Sequence, residues 1–172
     1  MARVLVSFAL VVPVALRAQR VIVLQAGPSP MIRATPHGKL VIPIVLNMTE
    51  AGGGDLAALT ATVAWSHARL TLDSVTAGGF GSLTSNTSKA ATGSATFSVF
   101  NVTGTSRTVT VAQLFFTASA TTGATDIALT PSVAGNEVGQ PILSLMRSRP
   151  LRVCVAEGSA SCPPRGSNRE GQ

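Results

Sequence analysis

From residue 20 onward the chain is a succession of short runs in which apolar and small polar residues alternate. Leu59, Ala61, Val63 and Trp65 interleave with Thr60, Thr62 and Ala64, and Ala95, Phe97 and Val99 interleave with Thr96, Ser98 and Phe100. A period of two is the mark of a half-buried strand. Further runs of this kind are Arg20 to Gln25, Met31 to Ala34, Lys39 to Met48, Leu70 to Val75, Thr108 to Ala118, Ile127 to Leu129, Ile142 to Met146 and Leu151 to Val155. Turn signals separate them: Gly27-Pro28-Ser29-Pro30, Pro36-His37-Gly38, Gly52-Gly53-Gly54-Asp55 and Gly78-Gly79-Phe80-Gly81. The polar stretch Ser82 to Gly93 reads as a loop, and Leu56 to Leu59 has room for one helical turn. No segment carries a 3.6-residue stripe. The pattern predicts an all-β fold, a single jelly-roll or immunoglobulin-like β-sandwich of about nine or ten short strands.

Two runs depart from plain alternation. Pro43 lacks the amide donor of a central strand, so it predicts an edge or bulged position. Val109 and Val111 share one parity whereas Leu114 and Phe116 share the other, which predicts a bulge near Ala112-Gln113 or a strand covered on both faces.

Residues 1–18 stand apart. Arg3, the apolar stretch Val4 to Leu16 and the small Ala18 read as a secretory signal peptide. The alternative is an uncleaved anchor, for which the run is short and is interrupted by Pro13. Residues 19–156 then form the sandwich, and 157–172, with no core-forming content, read as a disordered tail. Loss of the leader lowers the formal charge from +6 to +4, because Arg3 and Arg17 leave with it. The remaining cations are scattered except for Arg147, Arg149 and Arg152. That spacing suits a charge-protected strand edge and argues against a nucleic-acid partner, which needs a concentrated basic face.

Candidate chemistry is sparse. His37 and His67 lie in turn sequences without partners at metal or catalytic spacing. Glu50 and Asp55 flank a Gly-rich loop and offer oxygens to calcium, but the calcium-loop pattern D-x-[DN]-x-[DN]-G is absent. No pair of carboxylates suggests glycoside hydrolysis, so a non-enzyme is expected. Trp65 reads as a core anchor, and Phe97, Phe115 and Phe116 as mostly core. Phe80, among glycines, is the best candidate for an exposed binding ring; one ring makes no aromatic platform for a flat polysaccharide. In an exported chain the two cysteines, Cys154 and Cys162, predict a disulfide.

The order of these features resembles the cohesin family. Lys39-Leu40-Val41-Ile42-Pro43-Ile44-Val45-Leu46-Asn47 is similar to the early "V-x-V-P-V-x-x-N" strand of cohesins. Leu59 to Gly78 resembles their central hairpin, with Ser66-His67 where Asp-Pro is usual. Val111-Ala112-Gln113-Leu114-Phe115-Phe116-Thr117-Ala118 resembles their late "L-x-x-hydrophobic-x-F-x-A" strand. The resemblance implies a nine-stranded jelly roll related to bacterial carbohydrate-binding modules. It also implies a secreted, non-catalytic module that binds an extracellular protein (dockerin-like) or a polysaccharide, in the setting of polysaccharide degradation. The alternative is a structural component of the cell surface that assembles through its strand edges.

Overall fold

The computed structural model of the chain describes residues 21–51, 55–158 and 162. The leader and most of the tail lie outside them. The described residues form β1 (Ile22–Ala26), β2 (Met31–Ala34), β3 (Lys39–Asn47), β4 (Leu56–Ala64), β5 (Leu70–Ala77), β6 (Ser82–Asn86), β7 (Ser94–Thr105), β8 (Val109–Ala118), β9 (Gly123–Asn136), β10 (Met146–Arg149) and β11 (Leu151–Val155). One sheet has the order β10-β1-β3-β8-β5 and the other β2-β11-β9-β4-β7-β6. Neighbours are antiparallel except β1 with β10 and β2 with β11, which run parallel. This is the sandwich that the alternation predicts. Its two terminal runs each divide between the sheets, at Gly27–Pro30 and at Pro150. Proline costs little there, because the ladder is interrupted in any case.

Three local expectations are corrected. The stretch Ser82 to Gly93 is not simply a loop: Ser82–Asn86 pairs with β7 over five residues, and a 3-10 turn follows at Ala90–Thr92. Ser, Thr and Asn supply the backbone for a ladder without supplying apolar alternation, and only Leu83 marks the inward side. Leu56 to Leu59 is strand, not helix. A register shift between Leu56 and Ala58 lets Leu56 and Ala57 both be buried, which blurs the period. Leu143–Leu145 is a 3-10 turn, and the strand begins only at Met146.

Pro43 sits in a strand with neighbours on both sides. Its carbonyl accepts from Gly27 N at 2.7 Å, just where β1 ends and the chain turns away. The missing amide therefore faces a position that β1 has already vacated. The register against β8 shifts one step on, between Ile44 and Val45, with Val111 as the extra residue. Val111 and Ala112 are consequently both buried, which resolves the change of parity.

The core lies between the sheets. Leu24, Ile42, Ile44 and Leu46 face Leu59, Ala61, Val63, Phe97 and Ile127, all of them buried. Trp65 stands edge-on to Phe116, with centroids 5.2 Å apart and planes at 75°. Its Nε1 donates to Leu70 O at 3.0 Å, which satisfies the one polar atom that burial would strand. Phe115, expected in the core, is half-buried on the outer side of its sheet, opposite Val41 in register. Adjacent strand residues cannot both point inward outside a bulge.

Cys154 and Cys162 are bonded, with Cα atoms 5.9 Å apart and eight residues of separation. The bridge ties the last strand to the start of the tail. Reducing it is expected to cost about 2–3 kcal/mol by the loop-entropy relation. Peptide mapping without reductant should recover the linked peptides; two freely alkylated thiols would contradict the bridge.

Candidate protein-binding face

The residues singled out in the sequence do not converge on one site. His37 and His67 are exposed in turns on different connections; His37 has φ 60°, and Gly38 N bonds Thr35 O at 2.9 Å. Glu50 is exposed and Asp55 half-buried, and the residues between them include 52–54, outside the described set. Among the described residues no group of three or more His, Cys, Asp or Glu side chains gathers.

Phe80 is not an exposed ring. It is 2% exposed and belongs to the core. The flanking glycines explain why. A Cβ on Gly78 would lie 2.1 Å from Thr110 O, and one on Gly81 would lie 2.3 Å from Phe100 O. These glycines serve close backbone contact with β8 and β7, and the connection so pinned turns Phe80 inward. Its carbonyl accepts from Asn101 Nδ2.

One polar set on the outer side of the β3-β8-β5 sheet does assemble. Lys39 Nζ is 3.1 Å from Asp73 Oδ2 and donates to Thr117 Oγ1 at 2.7 Å. Thr117 Oγ1 donates to Asp73 Oδ2 at 2.8 Å. The Thr117 hydroxyl holds the Asp73 carboxyl below its ordinary 3.8; burial opposes this, and Lys39 adds to it by hydrogen bond and charge. A lowered folded pKa stabilises the fold above the unfolded value, and that contribution disappears as pH falls through the folded value. Asp73→Asn should therefore cost under about 1 kcal/mol near neutrality. The difference from wild type should close well below pH 3.8 in denaturation curves at several pH values. The three groups satisfy one another on an open sheet face, with Lys39 74% exposed, and act as a cross-strand tie.

The most distinctive surface is the outer side of β9-β4-β7-β6. Register places Val133, Thr60, Ser98 and Thr84 in one row across the four strands, with Thr130, Thr62, Thr96 and Asn86 in the next. The third row is Gly135, Ala58, Phe100 and Ser82. No charged residue stands in these rows. Thr60 and Ser98 hydroxyls pair at 2.9 Å, and Thr62 and Thr96 at 3.2 Å, so the face is a flat lattice of small, mutually bonded side chains. Phe100, in an end row, and Val133, in the middle row, are each 54% exposed; exposed Val102 follows Phe100 in β7, and exposed Val138 follows β9. The other end is polar, where a shallow hollow of about 220 Å³ opens among Thr62, Thr96, Asn86, Ser88 and Lys89.

Sequence reading passed over both apolar residues. Phe100 shares the parity of Thr96 and Ser98, a signal that it faces outward. Val133 has the inward parity of Ile127 and Leu129. The register shift between Thr60 and Ala61, with Ser132 the extra residue, turns it out.

The fold is that of cohesins. The seventh ScaB type I cohesin from Pseudobacteroides cellulosolvens superposes with a TM-score of 0.64 at 17% identity, over 83% of this chain and 95% of that one. The sixth cohesin of Acetivibrio cellulolyticus scaffoldin B, solved in complex with a Cel5 dockerin mutant, gives 0.64 at 15%, over 79% and 99%. A non-cellulosomal cohesin from the archaeon Archaeoglobus fulgidus gives 0.63 at 9%, over 79% and 91%. No protein-family model and no curated protein matches the chain. The chain is thus a cohesin-like domain by its fold, at a sequence distance where fold is all that the likeness shows.

Proposed function

We propose that this chain is an exported, non-catalytic module that binds another protein, and that the partner is a dockerin-like domain seated on the outer face of β9-β4-β7-β6. The observation that carries the reading is the pairing of exposed Phe100 and Val133 with an uncharged, flat hydroxyl lattice. Exposed apolar residues grouped on a smooth face mark interaction surfaces, and an aromatic anchor within a polar surround is the usual anatomy of a binding centre. The cohesin fold supports the same reading, since several of the similar structures were solved with a dockerin bound.

The lattice spans three inter-strand gaps and two row spacings, about 15 Å by about 14 Å. A stable complex buries about 800 Å² on each partner, so Val102 and Val138 belong to the footprint. A polysaccharide ligand has less support. Phe100 is the one large aromatic exposed among the described residues, and carbohydrate surfaces are gripped by several rings. The test is titration calorimetry of the mature chain against a panel of dockerin-type domains and of soluble polysaccharides. Saturable binding to a dockerin-type domain is the expected result. Tight polysaccharide binding with no protein partner would move the assignment to a carbohydrate-binding module, and glycan turnover would end the non-catalytic reading.

A further inference from the structure

Among the described residues the two sheets present four edges, and three of them are blocked. β10 carries Arg147 and Arg149 and stops at Pro150. β5 has a register shift between Leu72 and Ser74, with Asp73 as the extra residue tied to Lys39. β2 is four residues long, follows Pro30 and contains Arg33. Charge, proline, bulges and shortness are the means by which sheets avoid joining edge to edge.

β6 has none of these. Ser82-Leu83-Thr84-Ser85-Asn86 pairs with β7 in unbroken register and contains no charge and no proline. All but Leu83 are exposed. Among the described residues its backbone makes no backbone hydrogen bond outside its own sheet. Gly79, just before it, has open space around it.

We propose that β6 is a self-pairing edge, and that a second copy of this chain adds its own β6 antiparallel about a two-fold axis through Thr84. The segment is complementary to itself in that register. Ser82 meets Asn86 of the second copy, Leu83 meets Ser85, and Thr84 meets Thr84. Leu83, already half-buried against the core, gains cover on its inner side. On the outer side, the row Val133, Thr60, Ser98 and Thr84 continues into its own reversed copy. That row already makes cross-strand hydroxyl pairs of the required kind. With a net charge of +4 after loss of the leader two copies repel in general, and β6 is the edge where no strand residue adds to that repulsion. Five residues a side bury well under the roughly 1,200 Å² of a stable interface, so the dimer is weak and depends on concentration.

Sedimentation velocity on the secreted protein alone, from about 1 μM to about 1 mM, tests this. The weight-average mass is expected to rise toward the dimer. Thr84→Lys, which sets two ammonium groups together at the axis, should stay monomeric with an unchanged thermal midpoint. Thr84→Cys should crosslink to a dimer on mild oxidation, while Val41→Cys, exposed on the opposite sheet, should not. If Thr84→Lys fails to fold, the crosslinking result decides. A wild type that is monomeric at the highest concentration, a dimer that survives Thr84→Lys, or equal crosslinking from both cysteines would overturn the proposal. No partner is present in these measurements, so failure of the docking reading leaves them unaffected.

Discussion

Phe116→Ala is expected to destabilise the domain by about 3–5 kcal/mol, the range for removing a fully buried aromatic ring. Phe116 has no exposure and lies edge-on to Trp65. Truncation removes the transfer free energy of the ring and leaves a void that Trp65 cannot fill, because its Nε1 is held by Leu70 O. A domain of this size has about 5–15 kcal/mol in total, so the variant should retain a small part of its stability. Urea denaturation reads this directly: the midpoint should fall while the slope is kept. A loss under about 1 kcal/mol would mean that the Trp65–Phe116 pair does not organise the core.

The second large effect concerns binding and leaves stability alone. Phe100→Arg with Val133→Arg should weaken binding of the proposed protein partner by about a hundredfold or more, since each introduces a charge on an otherwise uncharged face. Both side chains are 54% exposed, so the thermal midpoint should move little. Val41→Arg is the matched control: Val41 is 55% exposed on the other sheet. If the control weakens binding as much as the double variant, the partner uses the wrong sheet for this account.

How far the sequence could be read depends on how regular each strand is. Where alternation is strict, as in Leu59 to Trp65 and Ala95 to Val99, the inward residues are those the pattern names. The proline in β3 and the parity change in β8 also announced irregularities that the register contains. Three things were hidden. β6 is built from Ser, Thr and Asn, which look like a loop because its pairing rests on backbone and on β7. Phe80 sits among glycines that look flexible, yet they are small because Thr110 and Phe100 carbonyls press against them. Val133 changes sides through a one-residue bulge, which no local period reveals. The candidate face was therefore half legible. The parity of Phe100 was visible, whereas its company of Val133 and the hydroxyl lattice needed the register across four strands.

The most direct test of the proposed binding face is hydrogen exchange of residues 19–172 with and without a dockerin-type domain that binds them. The account predicts slowed exchange in residues 56–64, 94–105 and 128–138, with the β1, β3 and β8 amides unchanged. Protection confined to β1, β3 and β8, or a partner that leaves every amide of β4, β7 and β9 unchanged, would contradict it.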